Sequence, residues 1–353
     1  MGVVKGPDVR EDPLGTRHGV ARCCWCGEAL AIGEYEYLRC WVCPTPACWV
    51  RQEAHALLLT AANTAHAGLL RAFLKLEAGQ IKPGQVVCLN VPLPSQVLFE
   101  ECPAKNVLWG GQAGPGKSHG VRWWLYKRSL VVPGHEALLT RENWEQLDKT
   151  HLRRMAVELP LFGATLAEKT ARFPNGSFID CGHMADAEAV SRYLSTEYGA
   201  IVPEEATQTP VGADGITPLA ELSTRARKVY RDVQGRTVRP RYMPVSNPGG
   251  PSAPWLCDMF VDQTPDFETF PKLRPVFDEA TGEQVKGYRA DQWAYIPARL
   301  DDNPYQDPEY EETLSSLTSW RYEQLRNGDW HVASGQFFGE WVPSLHVHEA
   351  ILQ

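Results

Sequence analysis

Short apolar runs alternate with longer polar, helix-prone stretches through the middle of the chain. The runs at 107–109, 137–139 and 200–202 contain only apolar residues, as strands buried on both faces do. The stretches that follow the first two of these runs, 118–130 and 142–158, favour helices. Because strands that alternate with helices usually build a parallel sheet, the pattern predicts an α/β domain with a mainly parallel sheet.

The segments on either side of this region have a different composition. Residues 51–79 are rich in Ala and Leu and contain no Pro before Gly79, which predicts one or two helices. Residues 305–327 are acidic and also favour helices. We therefore expect four successive parts: an N-terminal arm with a cysteine module over 1–50, a helical connector over 51–91, an α/β domain over 92–300 and an acidic helical linker over 301–353.

The composition of the 353 residues is that of a globular protein, with 43% hydrophobic and 22% charged residues. The sequence holds no apolar run of about 18 residues, the length that a membrane helix needs. Its first residues also lack the apolar core of a secretory signal. We therefore expect a cytoplasmic protein that does not interact with membranes.

The net charge is −8, and residues 301–353 account for all of it with ten acidic and two basic side chains. The rest of the chain is neutral, which excludes a globally basic nucleic-acid-binding protein. A local basic stretch lies between Ser223 and Tyr242, which contains seven basic residues and one acidic residue, Asp232. It is either a solvated loop or a DNA contact, and the predicted DNA-binding side chains are Arg225, Arg227, Lys228 and Arg231.

A phosphate-binding loop is the clearest motif. The segment from Gly111 to Ser118 fits G-x-x-x-x-G-K-[ST] at every specified position and lies between an apolar run and a helix-like stretch. Gly111, Gly114 and Gly116 let backbone N–H groups surround phosphate oxygens. Lys117 would reach the β- and γ-phosphates, and Ser118 would bind Mg²⁺. The motif predicts a site for ATP and Mg²⁺.

Two consecutive acids follow the apolar run at 200–202. Glu204 is expected near Mg²⁺, and Glu205 is expected to position and activate the attacking water. Two features weaken this interpretation: Asp is usual at the first position, and Pro203 removes a hydrogen-bond donor from the strand end. The alternative is a solvated pair of glutamates.

Cysteines cluster near the N-terminus, where six of the ten fall between Cys23 and Cys48. Two C-x-x-C pairs, Cys23 with Cys26 and Cys40 with Cys43, predict a zinc-ribbon-like module that holds a structural Zn²⁺ ion. Cys48 could replace Cys43 as a ligand. The alternative is a set of buried or free thiols.

Taken in order and spacing, the motifs resemble the large terminase subunit of tailed bacteriophages, over roughly residues 92–350. The matching segments are the one with Gln96, the phosphate loop, Glu204-Glu205-Ala206, Ser246-Asn247-Pro248-Gly249, Leu300-Asp301-Asp302-Asn303-Pro304 and Leu325 to Trp330. The resemblance implies a P-loop NTPase fold of the RecA/ASCE type. It also implies that Gln96 reads adenine and that Asn247 senses the γ-phosphate.

An arginine that acts across a subunit boundary is a further expectation from the resemblance. Arg192, which precedes the acidic motif, is the first candidate. Arg141, Arg225 and Arg227 are alternatives. For each of them, a surface or structural role stays open.

The implied function is that of an ATP-hydrolysing motor subunit that moves double-stranded viral DNA into the prohead. Its expected partners are DNA, the portal protein and the small terminase subunit, in a homo-oligomeric ring that docks on the portal from the host cytoplasm. The family's nuclease domain would follow residue 353, so we expect no nuclease activity. A non-hydrolysing zinc adaptor and a P-loop helicase are the alternatives.

Overall fold

The computed structural model describes residues 45–60, 81–213, 215–262, 292–307 and 309–332, together with residues 23, 26, 28, 29, 31–35 and 38–42. Several sequence predictions lie outside these residues: the arm over 1–20, Cys43, the helical connector over 61–80 and the end of the acidic linker from 333 onward. The described helices lack the length and apolar composition of a membrane-spanning segment.

The N-terminal part contains two small antiparallel sheets. The first joins β1 (Ala31–Tyr35) to β2 (Leu38–Val42). After α1 (Pro46–Ala54), the second joins β3 (Leu57–Thr60) to β4 (Val86–Asn90). The prediction of helix through residues 57–60 is therefore wrong. Leu57 and Leu59 pack against the core while Leu58 is exposed, and this alternation suits a strand rather than a helix.

The main domain begins with α2 (Pro94–Glu101) and β5 (Asn106–Gly111). Its next elements are, in chain order, α3 (Lys117–Val131), β6 (Glu136–Arg141), α4 (Trp144–Leu147), a π-helical turn (Asp148–Leu152), α5 (Arg153–Glu158), β7 (Thr165–Ala167), β8 (Thr170–Arg172), β9 (Phe178–His183), α6 (Ala187–Ser191) and β10 (Ala200–Pro203).

The second half of the domain adds α7 (Pro218–Ser223) and a small hairpin of β11 (Tyr230–Arg231) and β12 (Thr237–Val238). The remaining elements are β13 (Arg241–Tyr242), β14 (Val245–Ser246), α8 (Ala253–Leu256), a π-helical turn (Cys257–Val261), β15 (Trp293–Ala298), α9 (Tyr310–Ser315), α10 (Ser319–Tyr322) and a last π-helical turn (Glu323–Asn327).

In the described part of the chain, nine strands form one sheet. Their spatial order is β15, β5, β13 with β14, β10, β6, β9, β8 and β7. All of these pair in parallel except β8 and β7, which extend the sheet antiparallel at one edge. The predicted mainly parallel α/β fold is confirmed.

The position of β13 and β14 fixes where a ligand can bind. These strands come late in the chain but lie between β5 and β10. The carboxyl ends of β5, β14 and β10 therefore meet at one edge of the sheet. In open α/β sheets, the carboxyl edge is where ligands bind.

Both faces of the sheet are covered by apolar side chains. Trp109 on β5 faces one core, where it stacks on Phe99 of α2 with 4.7 Å between ring centroids. Its neighbour Leu108 faces the other core together with Ile201 and Tyr242. Since successive strand residues point to opposite faces, this division explains why the parallel strands are apolar at every position.

A buried ion pair fastens α3 to α5. Arg122 donates from Nε to Oε2 of Glu158 over 3.0 Å and from a terminal nitrogen to Oε1 over 3.2 Å. The hydroxyl of Tyr126 donates to the same carboxylate over 2.7 Å. Burial and the Glu158 charge raise the pKa of Tyr126, so the phenol stays protonated and keeps donating.

We expect Glu158→Ala to lower the free energy of unfolding by about 3–5 kcal/mol, because it leaves the Arg122 charge buried and unpaired. Urea denaturation measures the difference. Glu145→Ala is the control, because Glu145 forms its ion pair with Lys149 on the exposed side of α4, and we expect it to leave stability nearly unchanged. A cost for Glu158→Ala no larger than that for the control would contradict the prediction.

Candidate nucleotide-binding site

The phosphate loop leaves β5 in a conformation that suits glycine. The φ angles of Gly111, Gly114 and Gly116 are 127°, 90° and 80°, all in the left-handed region. Space is restricted as well: a Cβ atom on Gly111 would lie 2.8 Å from the Ala298 carbonyl oxygen, and one on Gly114 would lie 2.6 Å from Cδ1 of Leu300. Backbone angle therefore favours glycine at all three positions, and packing adds a second constraint at Gly111 and Gly114.

Lys117 is folded back over the loop. Its ammonium group donates to the carbonyl oxygen of Gln112 and to Oδ1 of Asn247, each over 2.6 Å. Burial lowers the pKa of Lys117 to about 8, against the opposing effect of the Glu205 and Glu204 carboxylates. The bond to Asn247 joins the phosphate loop to the segment after β14, so two of the predicted site motifs are in direct contact.

Glu204 lies at the end of β10 with almost no exposure to water. Burial alone would raise its pKa, but His151, Arg141 and the hydroxyl of Ser118 outweigh it and lower the pKa to about 2. His151 contacts Oε2 through Nε2, and the Nε atom of Arg141 lies 3.3 Å from the same oxygen. The ionised carboxylate and Ser118 thus lie together, and two oxygen ligands of this kind fit Mg²⁺.

Glu205 has an unusual backbone conformation. Its φ angle is 52°, which is rare for a residue with a side chain. In a strand, consecutive side chains point to opposite faces, whereas here a terminal nitrogen of Arg141 donates to Oε1 of Glu205 over 3.3 Å while Nε of the same side chain pairs with Glu204. The left-handed turn therefore brings both carboxylates to one arginine. Burial and the Glu204 charge raise the pKa of Glu205.

The segment after β14 is bonded to the acidic segment as well as to Lys117. The Thr207 backbone N–H donates to Oγ of Ser246 over 3.1 Å, and the two hydroxyls are 2.7 Å apart. The Thr207 hydroxyl also donates to the Asn247 carbonyl oxygen over 3.1 Å. Asn247 thus contacts both the phosphate loop and the acidic motif.

Gln96 lies against the phosphate loop and is buried. Its Oε1 accepts from the Leu93 backbone N–H over 2.9 Å, and its Nε2 lies 3.4 Å from the Gly116 carbonyl oxygen. The side chain therefore belongs to the site. Recognition of adenine by Gln96 stays a prediction.

Residues 298–307 and 309–330, here called the clasp, hold the phosphate loop from the C-terminal side. The backbone N–H groups of Gln112 and Ala113 donate to the carbonyl oxygens of Ala298 and Leu325, each over 2.8 Å. Asn303 donates to the Gly114 carbonyl over 2.6 Å. Sequence reasoning recognised the segments around Asn303 and Leu325 as family signatures but assigned them no role.

Trp330 closes the clasp over β5. A Cβ atom on Gly110 would lie 2.6 Å from the Trp330 ring, so the two residues are in close contact. The indole N–H donates to the Tyr295 hydroxyl over 3.0 Å, and that hydroxyl donates to the Gly110 carbonyl over 3.3 Å. Asp302, in the same segment, is buried.

The candidate arginines occupy different positions. Arg141 pairs with both acids of the motif, whereas Arg192 is exposed at the end of α6 and lies 3.7 Å from Glu188. Among the described residues, the structure brings only Arg141 of these two to the acidic pair. His151, which sequence reasoning missed, reaches Glu204 from the π-helical turn after α4, and no sequence motif marks it.

The predicted DNA contacts lie at the opposite, amino edge of the sheet. Arg227 pairs with Glu197 over 2.8 Å, and Lys228 pairs with Glu136, the first residue of β6. Arg225 donates to the Leu194 carbonyl over 3.0 Å, and Arg231 donates to the Gly235 carbonyl over 2.9 Å. Two of the four positive charges are thus already offset by acids.

Three N-terminal cysteines are brought together. The sulfur atoms of Cys23, Cys26 and Cys48 lie within 4.8 Å of one another. Cys48 is the residue that the sequence offered as a replacement for Cys43, which lies outside the described residues. Cys40 lies on β2. Three thiolates are a partial ligand set for a tetrahedral Zn²⁺ ion.

The left-handed backbone at Glu205 predicts that glycine is more stabilising than alanine at this position, the reverse of the usual order. Because only glycine adopts this conformation without strain, we expect Glu205→Gly to be more stable than Glu205→Ala by about 1 kcal/mol. The same two substitutions at Glu204, where the backbone is not left-handed, are the control and should give the usual order, with Ala more stable. Chemical denaturation of the four variants measures both differences, and the same order at both positions would contradict the assignment.

Burial raises the pKa of Asp302 to about 6. Because the folded state then binds a proton more tightly than the unfolded state, the contribution of Asp302 to stability is present below pH 4 and is lost as the pH rises through 6. We expect Asp302→Asn, which stays neutral and can still accept from the Arg299 N–H, to be more stable than the parent by about 2–3 kcal/mol at pH 8. The difference in unfolding free energy between the variant and the parent should be smaller at pH 4.5. A difference that stays the same from pH 4.5 to pH 8 would contradict the prediction.

Comparison with known proteins finds similarity in solved structures alone, since no family model and no curated protein matches the sequence. The large terminase of a thermophilic bacteriophage is 12% identical, with a TM-score of 0.48 over 68% of this chain and 54% of that one. The ATPase domain of the Thermus phage P74-26 large terminase is 12% identical, with a TM-score of 0.44 over 77% of this chain and 100% of that one. The large terminase of bacteriophage HK97 is 12% identical, with a TM-score of 0.41 over 74% and 54%.

This chain therefore spans about half the length of the first and the last of these proteins. The proteins of all three structures are large terminases, the family that the sequence motifs resemble.

Proposed function

We propose that the chain is the ATPase part of a large terminase subunit, a motor that hydrolyses ATP to move double-stranded DNA into a viral prohead. The observation that carries the proposal is the convergence of Lys117, Ser118, Glu204, Glu205 and Asn247 at the carboxyl ends of three neighbouring strands. A cation, a hydroxyl, two carboxylates and an amide at one edge of a parallel sheet are the groups that phosphoryl transfer to water needs.

Each site residue has a separate role in hydrolysis. The phosphate loop binds the phosphates through its backbone N–H groups, and Lys117 stabilises the charge on the transferred group. Ser118 and Glu204 would hold Mg²⁺, which neutralises phosphate charge when it is bound. Glu205 orients the attacking water, and its raised pKa makes it a better proton acceptor than an ordinary glutamate.

Arg141 and His151 hold the acidic pair in place. Arg141 pairs with both carboxylates, and His151 contacts Glu204 from a fully buried position. Without these partners, two adjacent carboxylates in a buried site would tend to take up a proton. Their role is therefore to keep Glu204 ionised and Glu205 in position.

Asn247 is the best-placed residue to report the state of the nucleotide. Lys117 now donates to Asn247 and to the Gln112 carbonyl. When phosphates occupy the loop, the lysine would turn to them and release Asn247. Because Thr207 is hydrogen-bonded to Ser246 and Asn247, a movement of Asn247 would also shift the acidic motif.

DNA would bind away from the nucleotide. The basic residues Arg225, Arg227, Lys228 and Arg231 lie at the amino edge, across the sheet from the phosphate loop. Sequence-independent contact with phosphates suits a motor that must move any DNA. Arg192, exposed on the surface, is available to act on a neighbouring subunit of a ring.

The cysteine cluster completes the proposal. Cys23, Cys26 and Cys48, with Cys40 as the candidate fourth ligand, would hold a structural Zn²⁺ ion. The module would serve contact with DNA, the small terminase subunit or the portal protein.

ATP hydrolysis by the purified chain, with and without duplex DNA, tests the proposal. We expect Lys117→Ala and Glu205→Gln each to lower kcat by about 100-fold or more, because each removes a group that acts in the transition state. Lys82→Ala and Glu221→Gln are matched controls at exposed positions and should keep the parent rate.

The results of these assays distinguish the proposed motor from the two alternative functions. Nucleotide binding without turnover would favour a non-hydrolysing adaptor, and separation of DNA strands would favour a helicase. Turnover that survives in both Lys117→Ala and Glu205→Gln would contradict the assigned roles.

A further inference from the structure

A second group of metal-ligating side chains lies on the far side of the clasp, outside the nucleotide site and the N-terminal cysteine cluster. The Cys257 sulfur, an Asp262 carboxylate oxygen and an imidazole nitrogen of His331 all lie within 4.8 Å of one another. The sulfur is 3.7 Å from Oδ1 of Asp262 and 4.0 Å from Nε2 of His331. Nε2 of His331 is 3.3 Å from Oδ1 of Asp262.

These separations are close to those of ligands around one ion. Around tetrahedral Zn²⁺, metal–ligand bonds of about 2.3 Å to sulfur and about 2.0–2.1 Å to nitrogen or oxygen put the ligand atoms about 3.3–3.6 Å apart. A direct ion pair between an imidazole and a carboxylate would instead be about 2.7–2.9 Å long. With Nε2 as the histidine ligand, the three separations of 3.3, 3.7 and 4.0 Å are close to the edges of such a tetrahedron.

Two separate parts of the fold build the group. The π-helical turn after α8 puts Cys257 and Asp262 five residues apart on the same side, and the Asp262 N–H donates to the Cys257 carbonyl over 2.9 Å. His331 follows Trp330, which is anchored on Gly110 and Tyr295. The His331 backbone N–H also donates to Oδ1 of Asp329 over 2.8 Å. Each ligand is therefore positioned by its own backbone contacts.

An ion can reach the group from solvent. The side chains of Asp262 and His331 are 45% and 67% exposed, whereas Cys257 is buried at the base. One thiolate, one imidazole and one carboxylate form a mixed set that suits Zn²⁺, with water in the fourth position.

We propose that Cys257, Asp262 and His331 form a zinc site that staples the end of the clasp to the turn after α8. Binding displaces the thiol proton of Cys257 to the buffer, and the ion then links two segments that are 74 residues apart in sequence. Since Trp330 packs on the strand that leads into the phosphate loop, the staple would steady the clasp on that loop. The inference does not depend on ATP hydrolysis.

Metal content and Co²⁺ binding of the full chain test the site. The full chain is stripped with a chelator and then titrated with Co²⁺, whose absorption reports thiolate ligands. We expect His331→Ala and Asp262→Asn each to remove one equivalent of bound Co²⁺, or to weaken its binding by about 100-fold or more, because each removes a direct ligand. Both positions are exposed, so the unfolding midpoint in chelator should stay unchanged.

A triple variant, Cys23→Ser with Cys26→Ser and Cys48→Ser, separates the two sites. We expect it to keep one equivalent with the weaker absorption of a single thiolate, and to gain thermal stability on addition of Zn²⁺ that His331→Ala abolishes. Asp307→Asn, at a clasp carboxylate outside the group, is the matched control and should bind as the parent does. Should the triple variant fail to fold, the difference between the parent and His331→Ala decides the question. Equal metal binding by the parent, His331→Ala and Asp262→Asn would overturn the proposal.

Discussion

A carboxylate that is almost shielded from water stands at the centre of this structure. Glu204 can stay ionised there only because a buried histidine, an arginine and the hydroxyl of Ser118 all act on it. Each partner comes from a different element: His151 from the π-helical turn after α4, Arg141 from the end of β6 and Ser118 from the start of α3. The cost of burying one charge therefore sets the relative positions of three elements around β10.

The local parts of the site follow from the sequence, because the chemistry of the phosphate loop is contained in eight consecutive residues. The left-handed backbone angles of its glycines depend only on local geometry, so a short pattern suffices to find them. The apolar runs likewise predicted the parallel strands, since strands buried on both faces have few polar positions. The helix predicted through residues 57–60 failed because pairing with β4 outweighs the helical preference of the three leucines there.

The non-local parts of the site could not be predicted from the sequence. His151 belongs to no motif, and its contact with Glu204 depends on a one-residue expansion of a helix. The pairing of Arg141 with both acids depends on the left-handed backbone at Glu205. No sequence pattern predicts this conformation. The clasp contacts join residues almost 200 positions apart, and the proximity of Cys48 to Cys23 and Cys26 likewise depends on the three-dimensional fold.

The position of the clasp in the sequence also determines when its contacts can form during translation. Its hydrogen bonds to Gln112, Ala113 and Gly114 come from Ala298, Leu325 and Asn303. At a synthesis rate of about 5–20 residues per second, roughly 10–40 seconds separate the emergence of the two sides from the ribosome. During that interval the nascent loop has its glycines but not the backbone partners that fix its shape. The hydrogen bonds that fix the shape of the phosphate loop therefore cannot all form until Leu325 has been translated.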